Sequence, residues 1–135
     1  MKTITCLAVT FLALAALQLA GCGTMQGLEP SKATASQFLK LMQAGENEGA
    51  YQLCSSECKA LATQKQIQNY WDLVEKNRGK VKDWSHEGTH FFAGTNGSSV
   101  TLAYRLHCEK GESIVRFTLV PQKDRWLIKG FNFSV

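Results

Sequence analysis

The sequence predicts an α+β domain in which helices come first and an antiparallel sheet follows. Between residues 31 and 78 the apolar residues recur with a period near 3.6, whereas from residue 80 onward they recur with a period of two. A third feature lies before the domain, because residues 4 to 20 form an apolar run without a charged residue. Helices followed by consecutive strands are typical of a fold whose helices cover one face of a sheet.

The apolar run ends at the tetrapeptide Leu19-Ala20-Gly21-Cys22, and Lys2 stands before the run. A charged start, an apolar stretch and small residues before a cleavage point are typical of a secretory signal. The tetrapeptide resembles a bacterial lipobox, in which cleavage precedes the cysteine and the cysteine becomes acylated. We therefore predict a lipoprotein signal peptide over residues 1–21, diacylglycerol and palmitate on Cys22, and a lipidated tether over residues 22–30. The alternative is an ordinary secretory signal that contains an ordinary cysteine.

The residue after Cys22 is Gly23 rather than the aspartate that retains such proteins in the inner membrane. We therefore expect the outer membrane, with the domain facing the periplasm. Without the signal, 14 Lys+Arg remain against 11 Asp+Glu on 114 residues, a net charge of +3. Because this charge is small and scattered, we expect no nucleic-acid partner. Residues 31–135 suit a single domain, and the tether would hold it within about 25–30 Å of the bilayer.

Three cysteines remain for the domain, namely Cys54, Cys58 and Cys108. An odd number in an oxidising compartment predicts one disulfide and one free thiol. An unbroken helix holds the Cβ atoms of residues four apart at about 5–6 Å, which is too far for a disulfide. The two serines after Cys54 can end and restart a helix, so we predict a disulfide between Cys54 and Cys58 and a buried thiol at Cys108. A bridge from Cys54 to Cys108 is the alternative.

Two helical regions are predicted before the sheet. The first begins at Ser31 as a cap and is interrupted at Gly45, so we expect a kinked helix or two short ones. The second begins with a capping box from Thr63 to Gln66 and ends at Gly79. Its apolar face, which we expect to pack on the sheet, consists of Ile67, Tyr70, Trp71 and Val74.

Four strands are predicted after residue 80, at about 81–92, 98–108, 113–120 and 125–135. The Asn96-Gly97 pair is a strong hairpin signal and predicts a two-residue turn between the first two strands. The second strand alternates cleanly, which predicts a half-buried antiparallel strand. Its residues predicted to face the core are Val100, Leu102, Tyr104, Leu106 and Cys108.

Three short patterns suggest a known family: Phe38-Leu39, then Gly49-Ala50-Tyr51 followed by Ser55, and a closing Trp126-Leu127-Ile128-Lys129-Gly130-Phe131. With the order of elements, the chain resembles the nuclear transport factor 2-like, cystatin-related α+β cone over residues 31–135. The resemblance implies a curved four-stranded antiparallel sheet that wraps around the helices and leaves a pocket, empty or filled. The residues expected to line that pocket are Tyr51, Trp71, Leu102, Tyr104, Leu106 and Phe117.

The spacing of the histidines does not favour a metal site. A turn at Asn96-Gly97 would set His86 opposite His107, on the solvent face of the sheet away from Tyr104. His90 would then lie about 13 Å from His86 along the strand, too far for both to bind one metal ion. Enzymes of the cone superfamily place an acid or a His-Asp pair in the pocket, and no match to that arrangement is found. We expect no metal ion, no cofactor and no catalysis.

These observations predict a lipid-anchored cell-envelope protein that presents a small binding or interaction domain to the periplasm. Its expected partners are the membrane, through the lipid on Cys22, and an unknown envelope protein or a small apolar ligand. The alternative is an enzyme of the cone superfamily that acts on a small apolar molecule in the pocket. A buried acid with a raised pKa beside a histidine would favour that alternative. A purely structural envelope protein is a third interpretation.

Overall fold

The computed structural model describes residues 27–134, which form four helices followed by four strands. The strands make one antiparallel sheet in the order β1-β2-β3-β4, so the α+β prediction is confirmed. The predicted signal peptide and Cys22 lie outside the described residues, within which no helix is both long and apolar enough to cross a bilayer. The elements are α1 (Leu28–Gln43), α2 (Asn47–Gln52), α3 (Ser56–Leu61), α4 (Gln64–Arg78), β1 (Val81–Gly94), β2 (Gly97–Cys108), β3 (Gly111–Gln122) and β4 (Arg125–Ser134).

Helix α1 begins at Leu28, three residues before the predicted cap. Its N-cap is Gly27, which makes no side-chain cap hydrogen bond. Gly27 is buried against the ring of Trp126, and a Cβ atom at this position would overlap that ring. Ser31 lies inside the helix and is fully buried. The prediction that Ser31 caps the helix is therefore wrong, because a contact with a residue near the end of the chain sets where the helix begins.

The interruptions between the helices lie where the sequence predicts them. Gly45 has φ +77°, a left-handed conformation that ends the run of α1 before α2 begins. The hydroxyl of Ser55 accepts a hydrogen bond from the backbone N–H of Cys58 and so caps α3. Thr63 and Gln66 form the predicted capping box at the start of α4. Short-range hydrogen bonding thus determines these boundaries.

The predicted face of α4 is confirmed at three of its four positions. Ile67, Trp71 and Val74 are buried, whereas Tyr70 is 53% exposed. At 3.6 residues per turn, Tyr70 lies about 60° around the helix from Ile67 and falls on the flank of the buried face. There its ring meets the ring of Phe131, at 6.2 Å. The prediction that Tyr70 is buried is therefore wrong.

The centre of the core lies where α1 crosses the inner face of the sheet, the face that carries Leu102 and Leu106. The ring of Phe38 on α1 packs edge-on against Phe117 at 5.5 Å and tilted against Phe131 at 5.7 Å. The predicted alternation along β2 is confirmed, except that Cys108 is half-buried rather than buried. The core residues of β2 and β3 that are fully buried are Val100, Leu102, Leu106, Val115, Phe117 and Leu119.

The register of β1 differs from the prediction. The hairpin is closed by the pair Gly94 and Gly97, so the two turn residues lie one position earlier than expected. Two further irregularities, between Val81 and Asp83 and between His86 and Gly88, shift the register again. As a result Asp83 stands opposite His107, and His86 stands opposite Tyr104. The prediction that His86 pairs with His107 on the solvent face is wrong.

The outer edge of β4 is partly covered by the segment that joins α2 and α3. The backbone N–H of Ser55 donates to the carbonyl of Ile128 at 2.7 Å, and the N–H of Ile128 donates to the carbonyl of Leu53 at 2.9 Å. Between them, Cys54 forms a parallel bridge to Ile128 and is 1% exposed. Backbone pairing of this kind satisfies N–H and C=O groups that an edge strand would otherwise leave without hydrogen-bond partners.

Replacing Trp71 with alanine should lower the free energy of unfolding by about 3–5 kcal/mol, because the ring is 2% exposed and packs on Phe133 at 6.3 Å. Leu73→Ala on the same helix is the control, and it should cost less than about 1 kcal/mol since Leu73 is 43% exposed. Chemical denaturation of both variants measures the difference. Equal losses would contradict the assignment of the buried face.

Candidate functional site

The predicted pocket-lining residues lie in or beside the core. Leu102, Leu106 and Phe117 are fully buried, and Trp71 and Tyr104 are nearly so. Tyr104 packs edge-on against Phe117 at 6.1 Å, so these two rings are in mutual contact. Tyr51 is partly buried further away, where its hydroxyl donates to the carbonyl of Ala62 at 3.2 Å. The structure therefore brings five of the six residues into one core around Phe38, and their role as pocket lining stays a prediction.

Part of the inner face of the sheet lies beside the helices rather than beneath them. Helix α1 packs on β2 and β4. The inner face of β1 carries four side chains that stand opposite buried residues of β2, yet His86 and Phe91 are exposed and the other two are partly buried. We call this surface the β1 strip, and its residues are Trp84, His86, Thr89 and Phe91.

The polar residues of the β1 strip, His86 and Thr89, lie next to Tyr104 on the neighbouring strand β2. The His86 ring stands edge-on to the Tyr104 ring, with 5.5 Å between centroids. The Nε2 atom of His86 lies 2.8 Å from the Thr89 hydroxyl, within hydrogen-bond distance. Three polar side chains from β1 and β2 therefore converge on one place. The aromatic residues Trp84 and Phe91 lie on either side of it along the strand.

The surroundings of the Tyr104 side chain keep its phenol in the neutral form. Burial, and to a smaller extent the carboxylate of Glu29 on α1, raise the pKa of Tyr104 to about 12. The phenol therefore remains protonated at neutral pH and can donate a hydrogen bond. Beside it, His86 can donate or accept through its ring nitrogens. Tyr104, His86 and Thr89 are the polar residues of what we call the inner-face site, and the charge of Glu29 acts on Tyr104.

The sequence does not reveal the inner-face site, for two reasons. The predicted tether includes Glu29, although this residue belongs to the first turn of α1. A register counted back from the turn without an irregularity places His86 on the solvent face. The glycine at position 88 is the signal that could have found the site, since an isolated glycine inside a strand pattern often marks a bulge.

The opposite face of the sheet carries an exposed ion network. Arg105 contacts Glu87 at 2.7 Å and Glu112 at 2.6 Å. Hydrogen bonding to Arg105 lowers the pKa of both carboxylates, and the same bonds raise the pKa of Arg105. His107 lies 3.4 Å from Glu112 and 3.9 Å from Asp83. Such exposed pairs contribute little to stability, so we regard this network as a solvated surface.

Within residues 27–134, no three His, Cys, Asp or Glu side chains are grouped closely enough to hold a metal ion. The two histidines predicted to face each other lie on opposite faces of the sheet. The inner-face site offers hydrogen bonding by its own side chains. Polar groups that lie between aromatic side chains suit a small ligand that has a polar group and an apolar body.

The two cysteines predicted to form a disulfide lie side by side as thiols. The side-chain interaction between the two thiols raises the pKa of Cys54 and lowers that of Cys58. The helix break that a bridge requires is present at Ser55. Cys108 lies at the other end of α4. There burial, and to a smaller extent the charge of Glu75, raise the pKa of its thiol. The bridge itself stays a prediction.

Comparison with known proteins adds information on the fold. No protein-family model matches the chain, and no curated protein matches it. Among solved structures, Aln2 from a Streptomyces species superposes with a TM-score of 0.55 at 10% identity, over 81% of this chain and 90% of that chain. The chain has the nuclear transport factor 2-like α+β cone fold. The resemblance inferred from the sequence is therefore confirmed for the fold. The lipoprotein assignment stays a prediction.

The expectation that this domain is not an enzyme is corrected by a second solved structure. A protein from Shewanella frigidimarina, described as a putative ketosteroid isomerase, superposes on the chain with a TM-score of 0.49 at 15% identity, over 78% of this chain and 94% of that chain. Because one fold can carry many functions, the fold gives no ground for excluding catalysis. At these identities the likeness concerns the fold alone, so activity must be argued from side chains.

Titration of the phenols should test the geometry of the inner-face site. Tyr104→Phe should remove a phenolate transition at about pH 12. Glu29→Gln should move that transition to lower pH, because loss of a nearby negative charge makes the phenolate easier to form. Ultraviolet absorbance at high pH measures both, with Glu46→Gln, just before α2, as the control. If Glu29→Gln leaves the transition in place, Glu29 does not act on Tyr104.

Peptide mapping without reductant should find Cys54 joined to Cys58 in protein isolated from an oxidising compartment. Cleavage after Glu57 separates the two cysteines, so a bridge appears as one linked pair of peptides. Cys108→Ser should leave the link unchanged, because Cys108 lies at the far end of α4. A linked peptide that contains Cys108 would contradict the pairing. Because the closed loop is short, the bridge should add little stability through chain entropy.

Proposed function

We propose that this protein is a lipid-anchored cell-envelope protein whose cone domain binds a small ligand at the inner-face site, on the periplasmic side of the outer membrane. The observation that carries the anchor is the tetrapeptide Leu19-Ala20-Gly21-Cys22 behind an apolar run. Because α1 begins at Leu28, only Gly23 to Gly27 would separate a lipidated Cys22 from the folded domain. The domain is then a module held close to the membrane that carries its anchor.

The inner-face site supports the binding part of the proposal. Tyr104 offers a protonated phenol, His86 offers a ring nitrogen, and Glu29 adds a negative charge nearby. The exposed ring of Phe91 lies further along the same strip and can cover an apolar part of a ligand. The ligand class that fits is a small amphipathic molecule that carries a hydrogen-bonding group at one end. Such a ligand would lie along β1 rather than within the filled centre of the cone.

Cys22→Ser should abolish lipidation and leave unprocessed precursor, because both acylation and cleavage depend on that cysteine. Metabolic labelling with a clickable fatty acid measures it, and gel mobility reports the retained signal. Cys6→Ser is the matched control, since Cys6 lies inside the apolar run, and it should label like the wild type. Equal labelling of the Cys22→Ser variant and the wild type would contradict the anchor.

Native mass spectrometry should detect a bound small molecule on protein extracted from its own membrane. The double variant His86→Ala with Tyr104→Phe should lose that mass, since both polar partners are removed. His90→Ala should keep it, because His90 stands opposite Thr101 on the other face of the same strand. A mass retained by the double variant would contradict the site, and the same extract tests whether lipidation is intact.

A second candidate function is proton transfer on that small ligand. The observation that favours it is a protonated phenol whose ring contacts an imidazole, which together supply a proton donor and a possible base. Incubation of the identified ligand in D₂O with wild-type protein should then incorporate deuterium, and Tyr104→Phe should not. Exchange at the rate of the buffer alone would leave binding without catalysis as the function of the site.

A further inference from the structure

We propose that the end of the sheet that carries the β1–β2 turn rests against the lipid bilayer, with the side chain of Phe92 inserted among the lipids. This inference builds on the proposed anchor at Cys22 and adds the orientation of the domain to it. We call this end the turn end. It consists of the β1–β2 hairpin beyond Phe91 and the β3–β4 turn around Lys123.

The hairpin of the turn end has an unusual surface. Phe92 is 62% exposed and Phe91 38% exposed, and they point to opposite faces of the hairpin. Residues 91 to 100 contain no charged side chain. The pairing of β2 with β3 begins only at Val100, so the tip of the hairpin separates from β3 as two strands and leaves a groove between them. Two exposed aromatic side chains on an uncharged hairpin tip suit a surface that another phase or molecule covers.

The opposite end of the sheet provides a contrast. Its β2–β3 turn consists of Glu109 and Lys110, and Lys80 lies beside it through a backbone hydrogen bond from Glu109. Charged groups of this kind are costly to remove from water. Both ends carry charged residues, since Lys123, Asp124 and Arg125 lie at the turn end, and it is the exposed aromatic side chains that suit the turn end to contact with lipid.

The anchor would draw this same end to the membrane. Gly27, where the folded domain begins, packs against Trp126. Trp126 pairs with Pro121 next to the β3–β4 turn, and a shared groove at this end is lined by Asn96 and Pro121 among others. The five residue steps from Cys22 to Gly27 span at most about 18 Å. A lipid on Cys22 thus holds the turn end near the bilayer surface, whereas the opposite end lies a sheet's length away.

The charge of the β3–β4 turn is consistent with contact between the turn end and a bilayer. Lys123 and Arg125 flank Asp124 in the β3–β4 turn, and both are exposed. Lys129 nearby is already paired with Glu57 at 3.4 Å. The exposed turn therefore carries a small positive excess beside the aromatic tip. Basic side chains next to apolar ones are typical of protein surfaces that meet lipid headgroups.

The test places a tryptophan at each end of the full-length lipoprotein. Phe92→Trp reports the turn end, and Lys110→Trp is the matched control at the opposite turn. Each variant is reconstituted into vesicles of phosphatidylethanolamine and phosphatidylglycerol that include lipids with brominated acyl chains, which quench fluorescence on contact. We expect Phe92→Trp to lose most of the fluorescence it adds over wild type, and Lys110→Trp to lose none. Equal quenching at both ends, or none at either, would overturn the inference.

Two further measurements separate this inference from its alternatives. Fatty-acid labelling of the same preparation reports the anchor, so an acylated protein without quenching at position 92 contradicts the orientation alone, and an unlabelled protein contradicts the anchor. Quenching is also measured as protein is diluted into more lipid. If quenching at position 92 is the same at every dilution, the bilayer covers Phe92; if it is absent at high protein density and appears only on dilution, a second copy of the chain covers the tip and the proposal is overturned. Circular dichroism shows that each variant is folded.

Discussion

The path of α1 across the sheet is the constraint on which the rest of the domain depends. Near its start, the hydroxyl of Thr34 donates to the carbonyl of Trp126 at 2.8 Å. At its end, the side-chain amide of Gln43 donates to the carbonyls of Val81 and Lys82, both at 2.9 Å. These bonds tie the helix to the first residues of β4 and of β1, at opposite edges and opposite ends of the sheet. The apolar face between them then fills the centre of the cone with Phe38.

This diagonal path explains which part of the inner face is covered. Because α1 lies over β2 and β4, the centre of the cone is packed, while the length of β1 beyond Val81 stays partly open. The irregularity after His86 then brings that imidazole to the inner side, next to Tyr104. A polar site in this fold can therefore lie beside the packed centre. Tyr104 belongs to both, since its ring contacts Phe117 on one side and His86 on the other.

The two proposals describe one geometry. A short tether before Gly27 would hold the turn end near the bilayer, and the inner-face site lies along the strand that leads away from Phe91. An amphipathic ligand in the membrane surface would then meet the exposed ring of Phe91 before the polar groups at His86. The ion network around Arg105 lies on the other face of the sheet and would stay in water. On these proposals the anchor and the aromatic tip lie at the same end of the sheet, and Phe91 joins that end to the polar site on the inner face.

The sequence by itself determined the elements whose causes are local. The capping box at Thr63, the break at Ser55 and the alternation along β2 depend on residues within a few positions of one another, so they could be predicted. The tertiary structure decided what depends on distant contacts. Trp126 sets the start of α1 from about 100 positions away along the chain. The register of β1 brings His86 to Tyr104, because a single extra residue in a strand changes which face every later side chain occupies.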